Sequence, residues 1–239
     1  MEATAWPRVK ICCIADVDEA WTAIRAGASA VGLVSAMPSG PGVIEEEMIA
    51  RVAERVPPGI GSFLLTSLLD APGITAQQRR CRANTLQLVD RVEPGTHQRL
   101  RETLPGIALV QVIHVSGPES LDEALALAPH VSALLLDSGN QSLAVKELGG
   151  TGRVHDWAIS RAIRAAVDVP VYLAGGLNAG NVRAAVEHVG PFGLDICSGV
   201  RTNGQLDPAK LAAVFSALGQ REIEPQSTQR TQRSGERMA

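Results

Sequence analysis

Eight short apolar runs alternate along this chain with segments of helical periodicity, and this alternation limits the possible folds more than any other feature. The runs are rich in β-branched residues, which is typical of parallel strands buried on both faces. The predicted strands cover residues 9–14, 30–34, 61–65, 85–89, 107–114, 131–137, 171–174 and 194–197. The predicted helices cover residues 16–26, 44–56, 75–82, 96–103, 119–127, 156–166, 178–189 and 207–218.

Alternation of this kind predicts an α/β fold with a parallel sheet and right-handed crossovers. Eight strand–helix units match a single (β/α)8 TIM barrel, which we place over residues 1–218. The competing fold is an open, doubly wound sheet. It would need a glycine-rich phosphate turn early in the chain, and Ile14-Ala15-Asp16-Val17 is not one.

The composition narrows the class of protein further. Hydrophobic residues make up 45% of the 239 residues but aromatic ones only 3%, which suits strands covered by helices. The net charge is −3 without a basic stripe, so neither nucleic acid nor an anionic membrane is expected as a partner. Residues 219–239 contain almost no large apolar side chains and are predicted to form a disordered tail.

The chain shows no N-terminal signal pattern and no apolar stretch long enough to span a membrane, so we expect a cytoplasmic protein. The four cysteines are Cys12, Cys13, Cys81 and Cys197. Their spacing fits neither a zinc site nor a disulfide framework, which predicts reduced thiols. Because Cys12 and Cys13 are adjacent on a predicted strand, we expect them to point to opposite faces and not to act as a pair.

Two candidate catalytic residues, Cys12 and Asp137, lie near the C-terminal ends of predicted strands. In a (β/α)8 barrel these ends face the active site. A carboxylate that closes an apolar strand must be solvated, paired or functional. A thiol and a carboxyl across one pocket can serve as base and acid. Alternatively, Cys12 is a small buried side chain and Asp137 caps the following loop.

Glycine-containing stretches at residues 148–152, 173–177 and 197–200 follow the last three strands. Glycines let backbone N–H groups approach an anion closely, and barrels often bind a phosphate between the loops after strands seven and eight. We therefore predict phosphate binding at Gly175, Gly176, Ser198 and Gly199. The alternative is that these glycines serve only the conformation of turns. We find no metal-ligand pattern and expect no metal.

Taken in order, these motifs resemble those of the phosphoribosylanthranilate isomerase family over residues 8–218. The resemblance rests on Lys10-Ile11-Cys12, Leu135-Leu136-Asp137, Gly149-Gly150-Thr151-Gly152 with Asp156-Trp157, Leu173-Ala174-Gly175-Gly176-Leu177 with Asn181-Val182, and Asp195 with Ser198-Gly199-Val200. It implies a (β/α)8 barrel that carries out an Amadori rearrangement of N-(5-phosphoribosyl)anthranilate in tryptophan biosynthesis, without cofactor or metal.

The resemblance also implies residue roles. Cys12 would be the general base and Asp137 the general acid. Substrate contacts would fall at Lys10, Gln87, Gly150 and Asp195, and we predict a further contact at Arg201. A free thiol titrates near ~8.5 and an aspartate near ~3.9, so these roles need the thiol pKa lowered and the carboxyl pKa raised. An apolar pocket raises the pKa of the aspartate, and Lys10 is placed to lower that of the thiol.

Four departures from the family pattern fall around the predicted mouth. Cys13 stands where the family has Gly, and Arg201 where it has Glu. The family's Ser-Pro-Arg and Gln-Leu-His-Gly are here Ser39-Gly40-Pro41-Gly42 and Gln87-Leu88-Val89-Asp90. We expect the lost Arg and the added Asp90 to weaken recognition of a carboxylate, unless Arg201 replaces the charge.

Three alternatives to the anthranilate substrate follow. The protein could be an isomerase of the same type for a phosphorylated aminosugar without that carboxylate. It could be a sugar-phosphate-binding barrel without catalysis, although such a protein needs neither Cys12 nor Asp137. It could also be an isomerase or epimerase of a ribulose phosphate, which usually needs a metal or paired acids that the sequence does not show.

Overall fold

A computed structural model describes residues 6–138 and 155–219 of the chain. Eight parallel strands close into a barrel in sequence order, which confirms the predicted (β/α)8 fold. The strands are β1 Arg8–Ile11, β2 Ala30–Val34, β3 Gly61–Thr66, β4 Thr85–Leu88, β5 Ala108–His114, β6 Ala133–Asp137, β7 Val171–Leu173 and β8 Gly193–Ile196. The helices are α1 Val17–Arg25, α2 Glu46–Arg55, α3 Ala71–Cys81, α4 Thr96–Thr103, α5 Ser120–Leu127, α6 Trp157–Ala166, α7 Val182–Val189 and α8 Pro208–Ala217.

Side chains of each strand alternate between two hydrophobic cores. On β1, Val9 and Ile11 point outward into the core between barrel and helices. Cys12, just beyond the strand, belongs to the smaller core inside the barrel. The same alternation puts Leu135 of β6 in the interior, and therefore Asp137, two residues later, at its C-terminal mouth.

The first strand is shorter than predicted, because β1 ends at Ile11 rather than at residue 14. Cys13 adopts a left-handed backbone conformation with φ of 64°, which no β-strand can continue. The turn brings Cys12 and Cys13 to the same cavity instead of opposite faces of a strand. The prediction that these two thiols point apart was therefore wrong.

Two helices begin at positions that the periodicity did not indicate. Helix α3 starts at Ala71 rather than residue 75, because the Asp70 carboxylate accepts a hydrogen bond from Gly73 N at 2.8 Å and caps it. Helix α7 starts at Val182 rather than residue 178. There, Asn178 Oδ1 accepts from Gly180 N at 2.9 Å, and this turn holds the preceding residues out of the helix.

A short 3-10 turn at Ser198–Val200 and a small antiparallel hairpin follow β8, and neither was predicted. The hairpin pairs β9 (Arg201–Thr202) with β10 (Gln205–Leu206). Within the described ranges, no helix is long and apolar enough to cross a membrane. The predicted tail beyond Gly219 and the predicted contact Gly150 lie outside the described residues.

Candidate active site

An open cavity lies at the C-terminal mouth of the barrel, where active sites of this fold are found. The side chains of Cys12, Gln87, Asp137 and Asp195 line it from the ends of β1, β4, β6 and β8. Gly175, Gly176 and Ser198 line the side formed by the loops after β7 and β8. The structure thus brings most of the predicted site residues together around one cavity.

A buried ion pair lies beneath the cavity. Lys10 Nζ donates to Asp195 Oδ2 at 2.8 Å, and both side chains are almost inaccessible to solvent. Burial alone would lower the pKa of Lys10, but Asp195 and Cys12 outweigh it and raise that pKa. Lys10 is therefore a fixed cation that also hydrogen bonds to Cys12. It does not line the cavity itself, so its contribution runs through Cys12 and Asp195.

The surroundings of Cys12 favour ionisation of its thiol. A hydrogen bond from the Cys13 thiol lowers the pKa of Cys12 below its ordinary value, and burial opposes this effect. The Lys10 ammonium lowers the pKa of Cys12 further, whereas the Asp195 carboxylate acts against it. A thiolate stabilised in this way is a competent base at the cavity wall.

The carboxyl group of Asp137 is shifted in the opposite direction. Burial raises the pKa of Asp137, while the backbone N–H of Ser138 and the neighbouring His114 oppose the shift. Ser138 N donates to Asp137 Oδ1 at 2.7 Å, so the loop-capping role that the sequence left open is also present. One carboxyl oxygen caps the loop, and the buried group is biased toward the protonated form that an acid catalyst needs.

The loops after β7 and β8 form a cradle of closely packed backbone. Gly175 and Gly176 both have left-handed φ values, of 87° and 62°. A Cβ on Gly199 would lie 1.9 Å from the carbonyl oxygen of Leu177, so only glycine fits where the two loops meet. Among the described residues, the backbone N–H groups of Gly175, Gly176 and Gly199 have no acceptor. Such groups can bind an anion.

Two buried polar atoms near the cavity lack partners among the described residues. They are Gln87 Oε1 and Asp195 Oδ1, on side chains that both line the cavity. Buried polar atoms are nearly always hydrogen-bonded in folded proteins, and an exception calls for an explanation. Each of these oxygens is able to accept a hydrogen bond from a substrate hydroxyl.

The opposite side of the cavity is mostly apolar. It is formed by Val34, Met37, Pro41 and Leu65, together with Gln87. In the part of the chain that the structure describes, no Lys or Arg lines the cavity. Asp90, which the sequence placed in this half of the mouth, is buried, does not line the cavity and accepts from Arg91 N at 2.8 Å.

Arg201 occupies a different place from the one its motif predicted. Its guanidinium forms a 3.0 Å ion pair with Glu19 and donates to the carbonyl oxygens of Cys12 and Cys13 at 3.3 and 2.5 Å. It does not line the cavity, because the unpredicted hairpin directs it toward α1. Arg201 therefore holds the turn after β1 rather than replacing the missing carboxylate-binding charge.

The sequence did not predict a structural role for Glu19, the partner of Arg201. Its carboxylate also accepts hydrogen bonds from the backbone of Ala15 and Leu206 at 3.0 and 2.9 Å. Although burial opposes ionisation, Arg201 and these N–H groups lower the pKa of Glu19. An acid in the first turn of α1 is common, so the residue type alone carried no signal for this role.

Gly32 on β2 is a second residue that the sequence analysis missed. A Cβ there would lie 2.7 Å from Cys12 Sγ and 2.9 Å from Lys10 Nζ. The glycine thus leaves the space in which the thiol and the ammonium meet. The sequence feature that could have revealed this role is an isolated glycine inside an apolar strand, which indicates close approach of another group.

We expect Gly32→Ala to reduce kcat/KM by about 100-fold, because displacing a reacting group by about 1 Å costs that much. The fold should persist, since the two closest atoms are side-chain ends, and the Cys12 backbone, with its Cα 3.1 Å away, needs to give by only a few tenths of an ångström. Steady-state kinetics and circular dichroism measure both effects. Gly117→Ala is the matched control, because its Cβ would meet only the flexible Glu119 side chain. Equal kinetics of Gly32→Ala and the control would contradict this role.

Comparisons with known proteins agree with this architecture. Residues 9–217 match the family model for N-(5'-phosphoribosyl)anthranilate (PRA) isomerase. N-(5'-phosphoribosyl)anthranilate isomerase 2 of Methanosarcina mazei is 35% identical over 206 residues, which are 85% of this chain and 90% of that protein.

Two solved structures share the fold. Phosphoribosyl anthranilate isomerase of Thermotoga maritima has a TM-score of 0.75 at 27% identity, covering 89% of this chain and 98% of that one. A phosphoribosyl anthranilate isomerase in complex with reduced 1-(o-carboxyphenylamino)-1-deoxyribulose 5-phosphate has a TM-score of 0.72 at 26% identity, with the same coverage. The matched family model spans the whole barrel, and the chain belongs to the N-(5'-phosphoribosyl)anthranilate isomerase family, whose members are aldose–ketose isomerases of tryptophan biosynthesis.

Proposed function

We propose that the protein converts N-(5-phosphoribosyl)anthranilate to the corresponding 1-deoxyribulose 5-phosphate derivative, with Cys12 as general base and Asp137 as general acid. The observation that carries the proposal is the opposed tuning of these two groups in one cavity. The pKa of Cys12 is lowered and that of Asp137 is raised. Acid–base pairs are recognised by environments that shift two titratable groups in this way.

The reaction needs two proton transfers at different atoms. The protonated Asp137 gives its proton to the ring oxygen of the ribose while the bond from that oxygen to C1 breaks, leaving an iminium ion. The Cys12 thiolate then takes the proton from C2, and the electron pair moves to the nitrogen to form an enolamine. In the tautomerisation that gives the ketone product, the Cys12 thiol returns its proton to C1. The enol hydroxyl gives its proton to the carboxylate of Asp137, so both groups regain their starting forms.

Two parts of the cavity support binding of a phosphorylated sugar. We assign the phosphate to the backbone N–H groups of Gly175, Gly176 and Gly199 and to Ser198, since these groups lie at the loops after β7 and β8. We assign the ribose hydroxyls to Gln87 Oε1 and Asp195 Oδ1, because neither atom has a protein partner in the described residues. The phosphorylated ligand of the related solved structure is consistent with a ligand of this class.

The aglycone is held by the apolar half of the cavity. Val34, Met37 and Leu65 offer a surface for an aromatic ring. The same wall supports a second candidate, an aminosugar phosphate whose aromatic amine has no carboxylate, because no Lys or Arg of the described residues lines the cavity. An unpaired carboxylate there would cost about 1.5–3 kcal/mol of binding energy.

Complementation of a tryptophan auxotroph that lacks this isomerase tests the proposed activity. We expect expression of the wild-type chain to restore growth without tryptophan. The Cys12→Ala variant, expressed to the same level, should not restore it. Failure of the wild-type chain, despite intact expression, would reject the anthranilate substrate.

The two aglycones are separated by a matched pair of substrates in vitro. N-(5-phosphoribosyl)anthranilate and N-(5-phosphoribosyl)aniline differ only in the carboxylate. Although the described cavity wall offers no cation, we expect the anthranilate compound to have the higher kcat/KM, because the chain belongs to the family named for that substrate. A higher kcat/KM for the aniline compound would favour the second candidate.

A further inference from the structure

Three of the four thiols of the chain meet at the barrel mouth. The Sγ atoms of Cys13 and Cys197 lie 2.7 Å apart. The Cys13 thiol also lies beside Cys12, whose pKa it lowers, and its sulfur is 3.5 Å from the carbonyl oxygen of Pro41. The sulfur of Cys13 is therefore the middle member of a chain that runs from Cys12 to Cys197. The fourth thiol, Cys81, is buried at the end of α3.

The arrangement of Cys13 and Cys197 suits a disulfide. Cys12 and Cys197 directly follow the paired residues Ile11 and Ile196 of neighbouring strands, which lie about 4.8 Å apart. The turn at Cys13 then swings its side chain toward Cys197. A separation of 2.7 Å is only about 0.7 Å longer than a disulfide bond, so a small movement closes it.

The three thiols line one open cavity and differ in their tendency to ionise. Cys12 and Cys13 are each only 5% exposed, so the cavity is the route by which a small oxidant reaches them. The pKa of Cys12 is lowered. The pKa of Cys13 is raised, because Cys13 is hydrogen-bonded to Cys12 and Cys197. The thiolate is the form that reacts with peroxides, so Cys12 is the first site of oxidation.

We propose that oxidation of Cys12 by a hydroperoxide leads to a reversible disulfide between Cys13 and Cys197. Formation of this disulfide returns Cys12 to its reduced form. A catalytic thiolate without such neighbours proceeds to sulfinic acid, which is not reversible by thiols. A disulfide is reversible by reduction. The three-thiol cluster would thereby protect the base of the active site.

One hydroperoxide molecule is the oxidant for the whole reaction. The Cys12 thiolate attacks the peroxide, the O–O bond breaks, and a sulfenic acid and an alkoxide form; the alkoxide takes a proton from water. The Cys13 sulfur then attacks the Cys12 sulfur, and the hydroxyl group leaves as water with the Cys13 proton. Finally the Cys197 sulfur attacks Cys13 and releases Cys12 as a thiolate, while the Cys197 proton passes to solvent.

The disulfide should also change the pH dependence of activity, and this consequence, like the protective role, rests on the proposed function. In the oxidised state Cys13 no longer donates to Cys12, so the pKa of Cys12 rises. Lys10 and Asp195, the other charged groups that face Cys12, remain in place. The oxidised enzyme should therefore be less active than the reduced enzyme at low pH, and the two activities should converge as the pH rises.

Mass spectrometry of the full 239-residue chain tests the proposal. The protein is treated with one equivalent of hydrogen peroxide, alkylated, digested and sequenced. We expect a cross-link between Cys13 and Cys197, with Cys12 and Cys81 alkylated, and its disappearance on reduction. Cys197→Ser should convert Cys12 to sulfinic acid several-fold faster than Cys81→Ser, which is the control with the same number of thiols removed.

Three results would overturn the proposal. One is sulfinic acid at Cys12 of the wild-type chain without a Cys13–Cys197 cross-link. Another is equal rates of Cys12 overoxidation in Cys197→Ser and Cys81→Ser. The third is cross-linking in Cys12→Ala at the wild-type rate, because Cys12 would then not be the entry point. None of these readouts uses turnover, so they stand apart from the proposed isomerase activity.

Discussion

Cys12→Ala should reduce kcat by about a hundredfold to ten-thousandfold, the range in which a positioned base contributes to catalysis. The substitution removes the only thiol of the cluster that contacts Lys10, and alanine cannot accept the proton from C2. The KM should change little, since the assigned phosphate and hydroxyl contacts remain. Steady-state kinetics with the phosphoribosyl substrate measures both constants.

Cys81→Ala is the matched control for Cys12→Ala. Cys81 is also a free and buried cysteine, but it lies on α3, away from the cavity. Its replacement should leave kcat unchanged and lower the free energy of unfolding only modestly. If both variants lost activity to the same degree, the effect of Cys12→Ala would reflect general damage to the protein rather than loss of a base.

Asp137→Asn should abolish most turnover and at the same time stabilise the protein at neutral pH. The amide cannot donate the proton that opens the ring, so a loss of about a hundredfold to ten-thousandfold in kcat is expected. Burial raises the pKa of Asp137 in the folded protein. An ionised carboxylate there is unfavourable, and asparagine of the same shape removes it. We expect a gain of about 1 kcal/mol in unfolding free energy near pH 7.

The sign of the pH effect follows from the raised pKa. The carboxyl contributes its full stability below its unfolded pKa of ~3.9, and this contribution is lost as the pH rises through the higher folded pKa. The advantage of Asp137→Asn should therefore be small near pH 4 and grow toward neutral pH. Urea unfolding at both pH values measures it.

Asp195→Asn provides the opposite control. It leaves the buried ammonium of Lys10 without its partner, so it should destabilise the fold by about 3–5 kcal/mol. A loss of stability in Asp137→Asn comparable to that of Asp195→Asn would contradict the assignment of Asp137 as a buried, protonation-biased acid.

Much of the fold and part of the site could be predicted from local patterns. Apolar periodicity depends only on residues close in sequence, so it placed all eight strands and brought Cys12 and Asp137 to the same end of the barrel. The glycines in the loops after β7 and β8 could also be recognised from the sequence. Gly199 is required by a contact with the Leu177 carbonyl, although the sequence showed only that a turn was near.

Features that depend on distant contacts or on single backbone angles could not be predicted. The Lys10–Asp195 pair joins residues 185 positions apart. The left-handed turn at Cys13 reversed the expected direction of one side chain and created the contact with Cys197. Arg201 was assigned to substrate because its motif follows β8, but a short hairpin directs its guanidinium to Glu19.

The departures from the family pattern now have separate structural consequences. Cys13 and Arg201 both act on the turn that carries Cys12, through a thiol contact and through hydrogen bonds to backbone carbonyls. Asp90 is buried and does not line the cavity. The residues around Cys12 have therefore changed more than the loops after β7 and β8.

The pH profile of kcat/KM, measured for the wild-type protein and for Cys12→Ser, is the most direct test of the proposed acid–base pair. For the wild type we expect the rate to rise on the acid side as Cys12 loses its proton, and to fall on the alkaline side as Asp137 loses its proton. A serine hydroxyl does not titrate in this range, so the residual activity of Cys12→Ser should lack the acid-side rise and keep the alkaline fall. An acid-side rise that persists unchanged in Cys12→Ser would contradict the role of Cys12 as the base.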